Sequence, residues 1–470
     1  MQHPVIVNDV HSALNETPVA DVARPTNVEQ LRDLILRVRA EGRSLAVSGS
    51  RHAMGGQQFL QGQTLLDMRG LNRIRSMDND RGLVTAEAGI DWPTLIHGYL
   101  HAQHSATPNT HPRWGIAQKQ TGADNLTLGG ALSANAHGRG LLMKPIVADV
   151  ESFRLLNAQG EIVDCSRESN PHLFAAAIGG YGLFGPIVDV TLRLSPRVKL
   201  RRVVRIIDIQ DAVNAAQRRI DAGYLYGDFQ FDVNPASPEF LTKGVFSCYE
   251  PVPNDTPITD AAVALSPNAW TELLYLAHTD KKSAFDQYAQ HYLSTDGQIY
   301  WSDLHQLSIY PDGYHEPLDR RLDSPCRGSE MITELYVPPE QLADFLHASA
   351  QLLSQRGSQV IYGTIRLIRQ DDETILPWAR HLYACIIFNL HVDHTPAGIQ
   401  LAAGTFRALI DLALSRGGSF YLTYHRFIDR PQILAAYPRI GEFLTLQKSH
   451  DPTGIFSSTW HRWLVSTLKG

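Results

Sequence analysis

The stretch Ser48-Gly49-Ser50-Arg51-His52-Ala53-Met54-Gly55-Gly56, residues 48–56, is the part of this chain that decides its fold. It follows the apolar run 45–47, which is typical of a short buried strand. Small residues dominate the turn, so backbone N–H groups can come close to a bulky anion such as a pyrophosphate. The stretch therefore predicts a strand followed by a loop that cradles phosphate groups.

A histidine, His52, stands in the middle of this loop. An imidazole nitrogen is a good nucleophile near neutral pH. A nucleophilic ring beside a pyrophosphate cradle is what a covalently attached flavin requires. The combination favours a redox enzyme over a binding module. The alternative for His52 is a turn histidine that only forms hydrogen bonds with the backbone.

Length and charge restrict the class of protein. The chain has 470 residues, of which 43% are hydrophobic, and a formal net charge of -6. This length is sufficient for large cores in two or three domains. The acidic balance argues against a nucleic-acid partner and against a polybasic membrane anchor.

Sorting signals and cysteine usage point to a reducing compartment. The first twenty residues have neither the positive region nor the long apolar region of a signal peptide. The four cysteines are scattered, with no CxxC pair, which argues against a disulfide framework or a structural zinc. No run of 18 apolar residues occurs, so we expect a cytoplasmic protein without a membrane span.

Helical and strand patterns alternate along the first 196 residues. Apolar residues recur at helical spacing from Val28 to Val38, after a capping pattern at 26–29 and before Gly42. Two further small-residue clusters occupy 121–140 and 179–185. Neither matches the Rossmann fingerprint or the P-loop, which argues against a doubly wound nicotinamide site.

Four strings in this region resemble the vanillyl-alcohol-oxidase superfamily, also called the PCMH-type FAD-binding fold. They are RPTNVEQL (24–31), SGSRHAMGG (48–56), TLGGALSANAHGRG (127–140) and GGYGLFGPIVDVTLRL (179–194). Four later strings are similar to polyol and aldonolactone oxidases and to decaprenylphosphoryl-ribose oxidases. They are ITELYVP (332–338), TIRLIR (364–369), FYLTYHR (420–426) and DPTGIFSSTW (451–460).

This resemblance implies an α+β fold in three segments. Residues 15–196 would form a PCMH-type FAD-binding domain of two α+β subdomains. Residues 197–418 would form an α+β substrate or cap domain with a large antiparallel sheet, in which the sequence shows aromatic-rich strands and two long helical patterns. Residues 419–470 would form a C-terminal segment that returns to the FAD domain.

The resemblance also implies FAD laid extended between the two subdomains, attached through His52. A second attachment, through a cysteine of the second loop region, is not expected because no cysteine precedes Cys165. The residues expected to bind the cofactor are Ser48, Gly49, Ser50, Arg51, His52, Ala53, Gly56, Gln57, Thr121, Gly122, Asn125, Thr127, Gly129, Gly130, Ser133, His137, Gly138, Gly185 and Ile187.

Four residues are expected to act on the substrate. Glu334 and Arg366 resemble an active-site glutamate and a substrate-binding arginine of the polyol oxidases; an ordinary pair on a strand surface is the alternative. Tyr424 and His425 stand where those oxidases carry a lysine, and either could take a hydroxyl proton. Tyr424 as a core tyrosine is the alternative, and the missing lysine argues against a simple polyol or lactone.

These features predict an FAD-dependent oxidoreductase, an oxidase acting on a CH–OH group (class EC 1.1). Hydride would pass from a small hydroxylated substrate to flavin N5, and O2 or another acceptor would reoxidise the flavin, with release of hydrogen peroxide in the case of O2. The alternatives are an enzyme that tailors a natural product, an aromatic alcohol or a CH–NH substrate, and a non-catalytic flavin-binding protein. We expect no metal ion and a homodimer.

Overall fold

A computed structural model describes residues 4–108, 110–259, 264–308 and 313–469. Helices and strands are mixed along the whole of these ranges, so the predicted α+β class is confirmed. Five sheets carry the fold: three small ones, a sheet of five strands and a sheet of eight. The two largest sheets and the helices packed on them share one continuous hydrophobic core.

Among the described residues up to 196, the N-terminal part contains twelve strands and four α-helices. The strands are β1 (Val5–Val7), β2 (Thr17–Val19), β3 (Asp21–Ala23), β4 (Leu45–Ser48), β5 (Thr64–Asp67), β6 (Ile74–Asp78), β7 (Leu83–Glu87), β8 (Trp114–Gly115), β9 (Val150–Leu156), β10 (Ile162–Ser166), β11 (Ile187–Arg193) and β12 (Ser195–Pro196). The helices are α1 (Val28–Ala40), α2 (Trp92–Ala106), α3 (Leu128–Ala134) and α4 (Pro171–Ala177).

Two sheets dominate this part. One is parallel, with the order β3-β5-β4, and the other is antiparallel, with the order β10-β9-β11-β7-β6. Helix α1 begins one residue later than the capping pattern suggested, because the side chain of Asn27 accepts the hydrogen bond from the Gln30 N–H. Gly42, with φ of 63°, follows the last turn.

The described residues from 197 onward, the C-terminal part, contain eight strands and nine α-helices. The strands are β13 (Lys199–Asp208), β14 (Tyr226–Phe231), β15 (Lys243–Val252), β16 (Ile299–Trp301), β17 (Gly328–Val337), β18 (Val360–Ile368), β19 (Tyr383–Asp393) and β20 (Ser419–Phe420). The helices are α5 (Ile209–Asp221), α6 (Pro267–Thr279), α7 (Lys281–Ser294), α8 (His315–Arg321), α9 (Leu342–Arg356), α10 (Pro396–Leu414), α11 (Arg430–Ala436), α12 (Ile440–His450) and α13 (Thr459–Lys469).

All eight of these strands form one antiparallel sheet with the order β16-β13-β15-β14-β18-β19-β17-β20, which confirms the predicted large antiparallel sheet. Alternate residues of a strand point to opposite faces. Glu330, Ile332 and Glu334 of β17 therefore share one face, which becomes important for the site. Helices α6 and α7, which the sequence analysis did not foresee, pack on β18 and on β13 and β15.

Helix α10 is long and apolar enough, by length and composition, to cross a membrane, with a mean hydropathy of 1.3 over its most apolar window. It is one of the two long helical patterns that the sequence shows between 197 and 418. In the fold its side chains Phe406, Leu409 and Ile410 are buried. The helix packs on α9 and β17, as a core helix of a folded domain does.

The residues after 419 return to the N-terminal part. Leu45 of β4 donates its N–H to the Ile455 carbonyl at 2.7 Å, and the Ser457 N–H bonds back to the Leu45 carbonyl at 3.1 Å. Phe456 thereby lies parallel to β4 and packs, with Ile455, in the hydrophobic cluster under α1. This segment extends the parallel sheet directly beside the 48–56 loop.

Candidate active site

Two adjoining cavities, each partly open to solvent, lie side by side in the protein. The empty space in the first, including its solvent-open part, is about 1040 Å³, and in the second about 1670 Å³. Five residues border both of them, namely His11, Gln120, Ala123, Ile332 and Tyr424. A molecule extended through the first cavity would therefore present one end to the second.

The first cavity is built from the loops that the sequence analysis selected. Its walls are the turn after β4, the first turns of α3 and the segment before β11. The expected cofactor residues that it brings together are Ser48, Gly49, Ser50, Arg51, His52, Ala53, Gln57, Thr127, Gly129, Gly130, Ser133, Gly185 and Ile187.

Arg51 gives the first cavity a positive charge. Its backbone is left-handed, with φ of 63°, and its buried Nε has no hydrogen-bond partner among the described residues. Burial, followed by the charge of Arg69, lowers the pKa of the guanidinium. Since a buried N–H without a partner costs free energy, this position is suited to an anionic group.

Gly49 allows two walls of this cavity to touch. A Cβ at Gly49 would lie 2.2 Å from Oγ1 of Thr127, the hydroxyl that caps α3 by accepting the Gly130 N–H. The loop and the start of α3 can approach this closely only because residue 49 has no side chain.

We expect Gly49→Ala to impair retention of the group held in this cavity. Overpacking typically costs about 1–3 kcal/mol, and here it would push Thr127 away from the loop. The measurement is the amount of ligand that copurifies per chain, with Gly441→Ala as the control because a Cβ there meets nothing within 4 Å. Equal occupancy in the two variants would contradict the expectation.

His52 is paired with a histidine from the N-terminal segment. Its Nδ1 lies 2.8 Å from Nε2 of His11. Burial, followed by the other ring, lowers the pKa of His52 to about 3, and burial, followed by His315, lowers the pKa of His11 to about 4. Both rings are therefore neutral at physiological pH, with one nitrogen donating a hydrogen bond and the other accepting it.

Glu334 lies at the centre of a buried hydrogen-bond network beside the junction of the cavities. Its Oε1 accepts from His137 Nε2 at 2.6 Å, Tyr336 Oη at 2.6 Å and Cys385 Sγ at 3.2 Å, and its Oε2 accepts from Tyr424 Oη at 2.9 Å. Burial raises the pKa of Glu334, but His137, Tyr336 and Arg366 outweigh it and lower the value to about 2. The carboxylate is therefore ionised.

Tyr424 connects this network to both cavities. Because its hydroxyl hydrogen points to Glu334, the lone pairs of its oxygen remain available to a molecule at the junction. Burial, followed by the charge of Glu334, raises the pKa of Tyr424 well above its usual value. The tyrosine is thus a neutral acceptor that is bonded to an anion.

The second cavity contains Arg366, whose guanidinium donates to Oγ1 of Thr121, and also Gly122. Much of its wall is apolar or aromatic, with contributions from α6 and α7. Several polar atoms in this wall are buried and have no hydrogen-bond partner within the described ranges: Asp228 Oδ1, Gln230 Oε1, Thr364 Oγ1, Arg366 Nε and Asn389 Oδ1. A polar molecule in this cavity could therefore form hydrogen bonds with these atoms.

Six expected site residues do not border either cavity. His425 lies 5.3 Å, centroid to centroid, from the rings of Phe406 and Phe427. Asn125 is exposed, and Gly56 faces Thr459 instead. The other three are Glu334, His137 and Gly138, which lie in the layer behind the wall.

The sequence analysis missed important members of both cavities. His11 stands in a segment without periodicity, and only the fold brings it to the 48–56 loop, where Val10 N–H bonds to the Arg51 carbonyl at 3.1 Å. Asp228 and Asn389 lie in strands β14 and β19, whose patterns indicated only a sheet. Their buried, partnerless polar atoms are visible only in three dimensions.

Comparison with known proteins gives this arrangement a context. Residues 19–166 match the model of a family described as an FAD binding domain. The chain is 30% identical over 179 residues to L-gulonolactone oxidase of Bos taurus and 31% identical over 198 residues to cytokinin dehydrogenase 4 of Oryza sativa subsp. japonica. It is 24% identical over 475 residues to decaprenylphosphoryl-beta-D-ribose oxidase of Mycolicibacterium smegmatis, which covers 95% of both chains.

The match with the oxidase of Bos taurus spans 38% of each chain, and the match with the dehydrogenase of rice spans 40% of this chain and 35% of the rice protein. The matched region contains the 48–56 loop and α3, two of the three walls of the first cavity, and the segment before β11 lies beyond it. Two features of this region fit the pyrophosphate of FAD. The Nε of Arg51 has no hydrogen-bond partner among the described residues, and the loop at Gly49 lies very close to Thr127 at the start of α3. The cofactor of this protein is FAD.

Proposed function

Because this chain carries an FAD-binding domain of the vanillyl-alcohol-oxidase superfamily of flavoprotein oxidoreductases, we propose that it oxidises a CH–OH group of a small hydroxylated substrate. The observation that carries the proposal is the position of Tyr424. It lies where the two cavities meet, and its hydroxyl is bonded to a buried carboxylate.

In this proposal the parallel and the five-stranded sheets belong to two subdomains, and FAD lies between them in the first cavity. The 48–56 loop and Arg51 would bind the pyrophosphate, and His52 would carry the covalent bond to the flavin. The substrate would lie in the second cavity, with Arg366 beside it. Bound FAD supplies the acceptor of the hydride.

The residues of the chain would handle the proton. The substrate hydroxyl donates its hydrogen to Oη of Tyr424, while the hydrogen of Tyr424 moves to Oε2 of Glu334. His137, Tyr336 and Cys385 hold the carboxylate in place. The carbon loses a hydride, the oxygen loses a proton and a carbonyl product forms, so the electrons balance.

For reoxidation we propose O2 as the acceptor, with release of hydrogen peroxide. Gly122 and Ala123 border the second cavity, and Ala123 also borders the first, so at these two positions the wall has little side-chain volume. This leaves space for a small molecule beside the flavin ring. A different electron acceptor is the outcome if oxygen does not reoxidise the reduced enzyme.

A second candidate substrate is a larger aromatic alcohol or a CH–NH compound from a natural product. It is supported by the size of the second cavity and by the aromatic side chains in its wall, among them Phe231, Trp270 and Tyr288. Stacking on such side chains favours ring-bearing molecules. The two candidates share the same flavin site and differ only in what fills the second cavity.

The test is anaerobic mixing of purified protein with polyols, aldonolactones, aryl alcohols and secondary amines in the dark. Loss of the visible flavin absorbance identifies the substrate class, and its return on admitting air, with peroxide formed in equal amount, identifies O2. Bleaching by amines alone would overturn the CH–OH proposal. No bleaching by any class would favour a flavin-binding protein without turnover.

The attachment of flavin to His52 is expected to be insensitive to pH from about pH 5 to about pH 8. An ordinary histidine, with a pKa of 6.5, becomes protonated in this range and loses its nucleophilic nitrogen. His52 has a pKa lowered to about 3, so its ring remains neutral. The measurement is the rate at which acid-stable flavin forms on apo-protein from riboflavin-starved cells, and a midpoint near the unperturbed pKa would contradict the expectation.

A further inference from the structure

A second buried glutamate, Glu330, lies on the same face of β17 as Glu334. Its side chain is 4% exposed and borders the second cavity, on the far side of Ile332 from Glu334. Glu330 and Glu334 are four residues apart on this strand, a span of about 13 Å, so the two carboxylates occupy separate positions along one wall.

Three histidines from three other elements surround Glu330. His278 of α6 places Nε2 at 3.0 Å from Oε1, and His391 of β19 places Nδ1 at 3.5 Å from the same oxygen. His315 of α8 places Nδ1 at 3.6 Å from Oε2. The ligand atoms of His278, Glu330 and His391 all lie within 4.8 Å of one another.

These separations suit a metal ion. Zinc binds imidazole nitrogen and carboxylate oxygen at about 2.0–2.2 Å, so ligands of one ion lie about 3–4 Å apart. Two imidazoles and a carboxylate are the donor set of zinc sites that keep an open position. Magnesium and calcium prefer oxygen ligands, so the set favours a first-row transition metal.

The surroundings support this geometry. Nε2 of His391 lies 3.4 Å from Oδ1 of Asp393, which turns Nδ1 towards Glu330, as a carboxylate behind a ligating histidine does. A Cβ at Gly328 would lie 2.5 Å from Cε1 of His391, so the ring fits only beside glycine. Glu330 Oε2 and His391 Nδ1 are buried and have no hydrogen-bond partner among the described residues.

The nearby ammonium group of Lys281 does not bond directly to Glu330. Lys281 donates its ammonium hydrogens to the carbonyls of Ala277 and Val360, both at 2.6 Å. The other cluster with comparable ligand atoms, His137, Glu334 and Cys385, differs because both of its carboxylate oxygens already accept hydrogen bonds. Of these two clusters, which are the ones found among the described residues, the Glu330 cluster is therefore the one with a buried carboxylate oxygen left without a partner.

We propose that His278, Glu330 and His391 bind one divalent transition-metal ion, with Zn²⁺ as the representative, and that an open coordination position faces the second cavity. If the proposed oxidation is correct, that position would take an oxygen atom of the substrate, away from the carbon that is oxidised. The sequence analysis expected no metal because it looked for ligand spacing along the chain, and these ligands come from three separate elements.

The test uses flavin-loaded protein that has been dialysed against a chelator and then titrated with Zn²⁺, and separately with Co²⁺ as a spectroscopic probe. We expect one equivalent of Zn²⁺ per chain, and Co²⁺ bands typical of nitrogen and oxygen ligands. Losing an outer partner costs about 10–100-fold in metal affinity, so losing a direct ligand in Glu330→Gln or His278→Ala should cost more. His347→Ala is the control, since His347 is exposed on α9.

Flavin content is measured in every variant to confirm that the fold is kept, and His391→Gln replaces Glu330→Gln if the latter does not retain flavin. Failure of the parent protein to bind either ion at equimolar concentration would overturn the proposal. So would binding that persists unchanged in His278→Ala and Glu330→Gln. The titration contains no substrate, so failure to bind the ion would not contradict the proposed oxidation. Conversely, a protein that binds the ion but oxidises no substrate would still support the metal site.

Discussion

Tyr424→Phe is expected to lower kcat by about 100- to 10,000-fold, the range that positioned proton transfer contributes. The change removes only the oxygen that accepts the substrate proton and passes another to Glu334. The ring still fills the junction of the cavities, so KM and flavin content should change little. The measurement is stopped-flow reduction of the flavin, which reports the hydride step directly.

The matched control is Tyr437→Phe. Tyr437 is equally buried, but its hydroxyl donates to the Phe420 carbonyl and borders neither cavity. A loss of rate in both variants would mean that removal of any buried hydroxyl impairs the enzyme. Full activity of Tyr424→Phe would show that the proton leaves by another route, and Glu334→Gln would then be expected to be active as well.

His52→Ala is expected to abolish acid-stable flavin completely. The parent protein should keep its yellow colour and flavin fluorescence after acid precipitation, because the bond to a neutral imidazole survives unfolding. In the variant the loop, Arg51 and α3 remain, so FAD should still bind and be released by acid. His172→Ala, an exposed histidine of α4, serves as the control.

Release of all flavin from the parent protein would show that the cofactor is held without a covalent bond. The fold and the first cavity would be unaffected by that result, since neither depends on the tether. Flavin that stays on the His52→Ala protein would instead move the bond to another residue. Neutral His11, at 2.8 Å from His52, would be the first candidate.

Local patterns were sufficient to select the loops that line the first cavity. The 48–56 turn is rich in small residues, and positions 129 and 185 are glycines, because the backbone approaches its neighbours closely there. Such a requirement restricts the residue type and can therefore be recognised in the sequence. The strand before the 48–56 loop, predicted at 45–47, ends one residue later, as Leu45–Ser48, because the small residues of the turn define its end. Glu334 and Arg366 were selected through resemblance rather than through any local signal.

Contacts between distant elements were not predictable in this way. His11 reaches His52 because the N-terminal segment crosses the loop, and nothing in its own sequence indicates this. Helices α6 and α7 are rich in aromatic residues such as Trp270 and Tyr288, which also suit strands, so their helical period was missed. The choice between Tyr424 and His425 depended on which neighbour faces the cavity, a question of side-chain direction.

The C-terminal return has a consequence for biosynthesis. Ser44 donates its hydroxyl to the Gly454 carbonyl across a separation of 410 residues, and the loop residue Met54 bonds to the Thr423 carbonyl. A ribosome must therefore finish almost the whole of this sequence before the strand beside the flavin loop gains its last neighbour. Contacts of such long range form late and slowly. Prematurely terminated chains should thus emerge colourless, and saturating riboflavin should not rescue them.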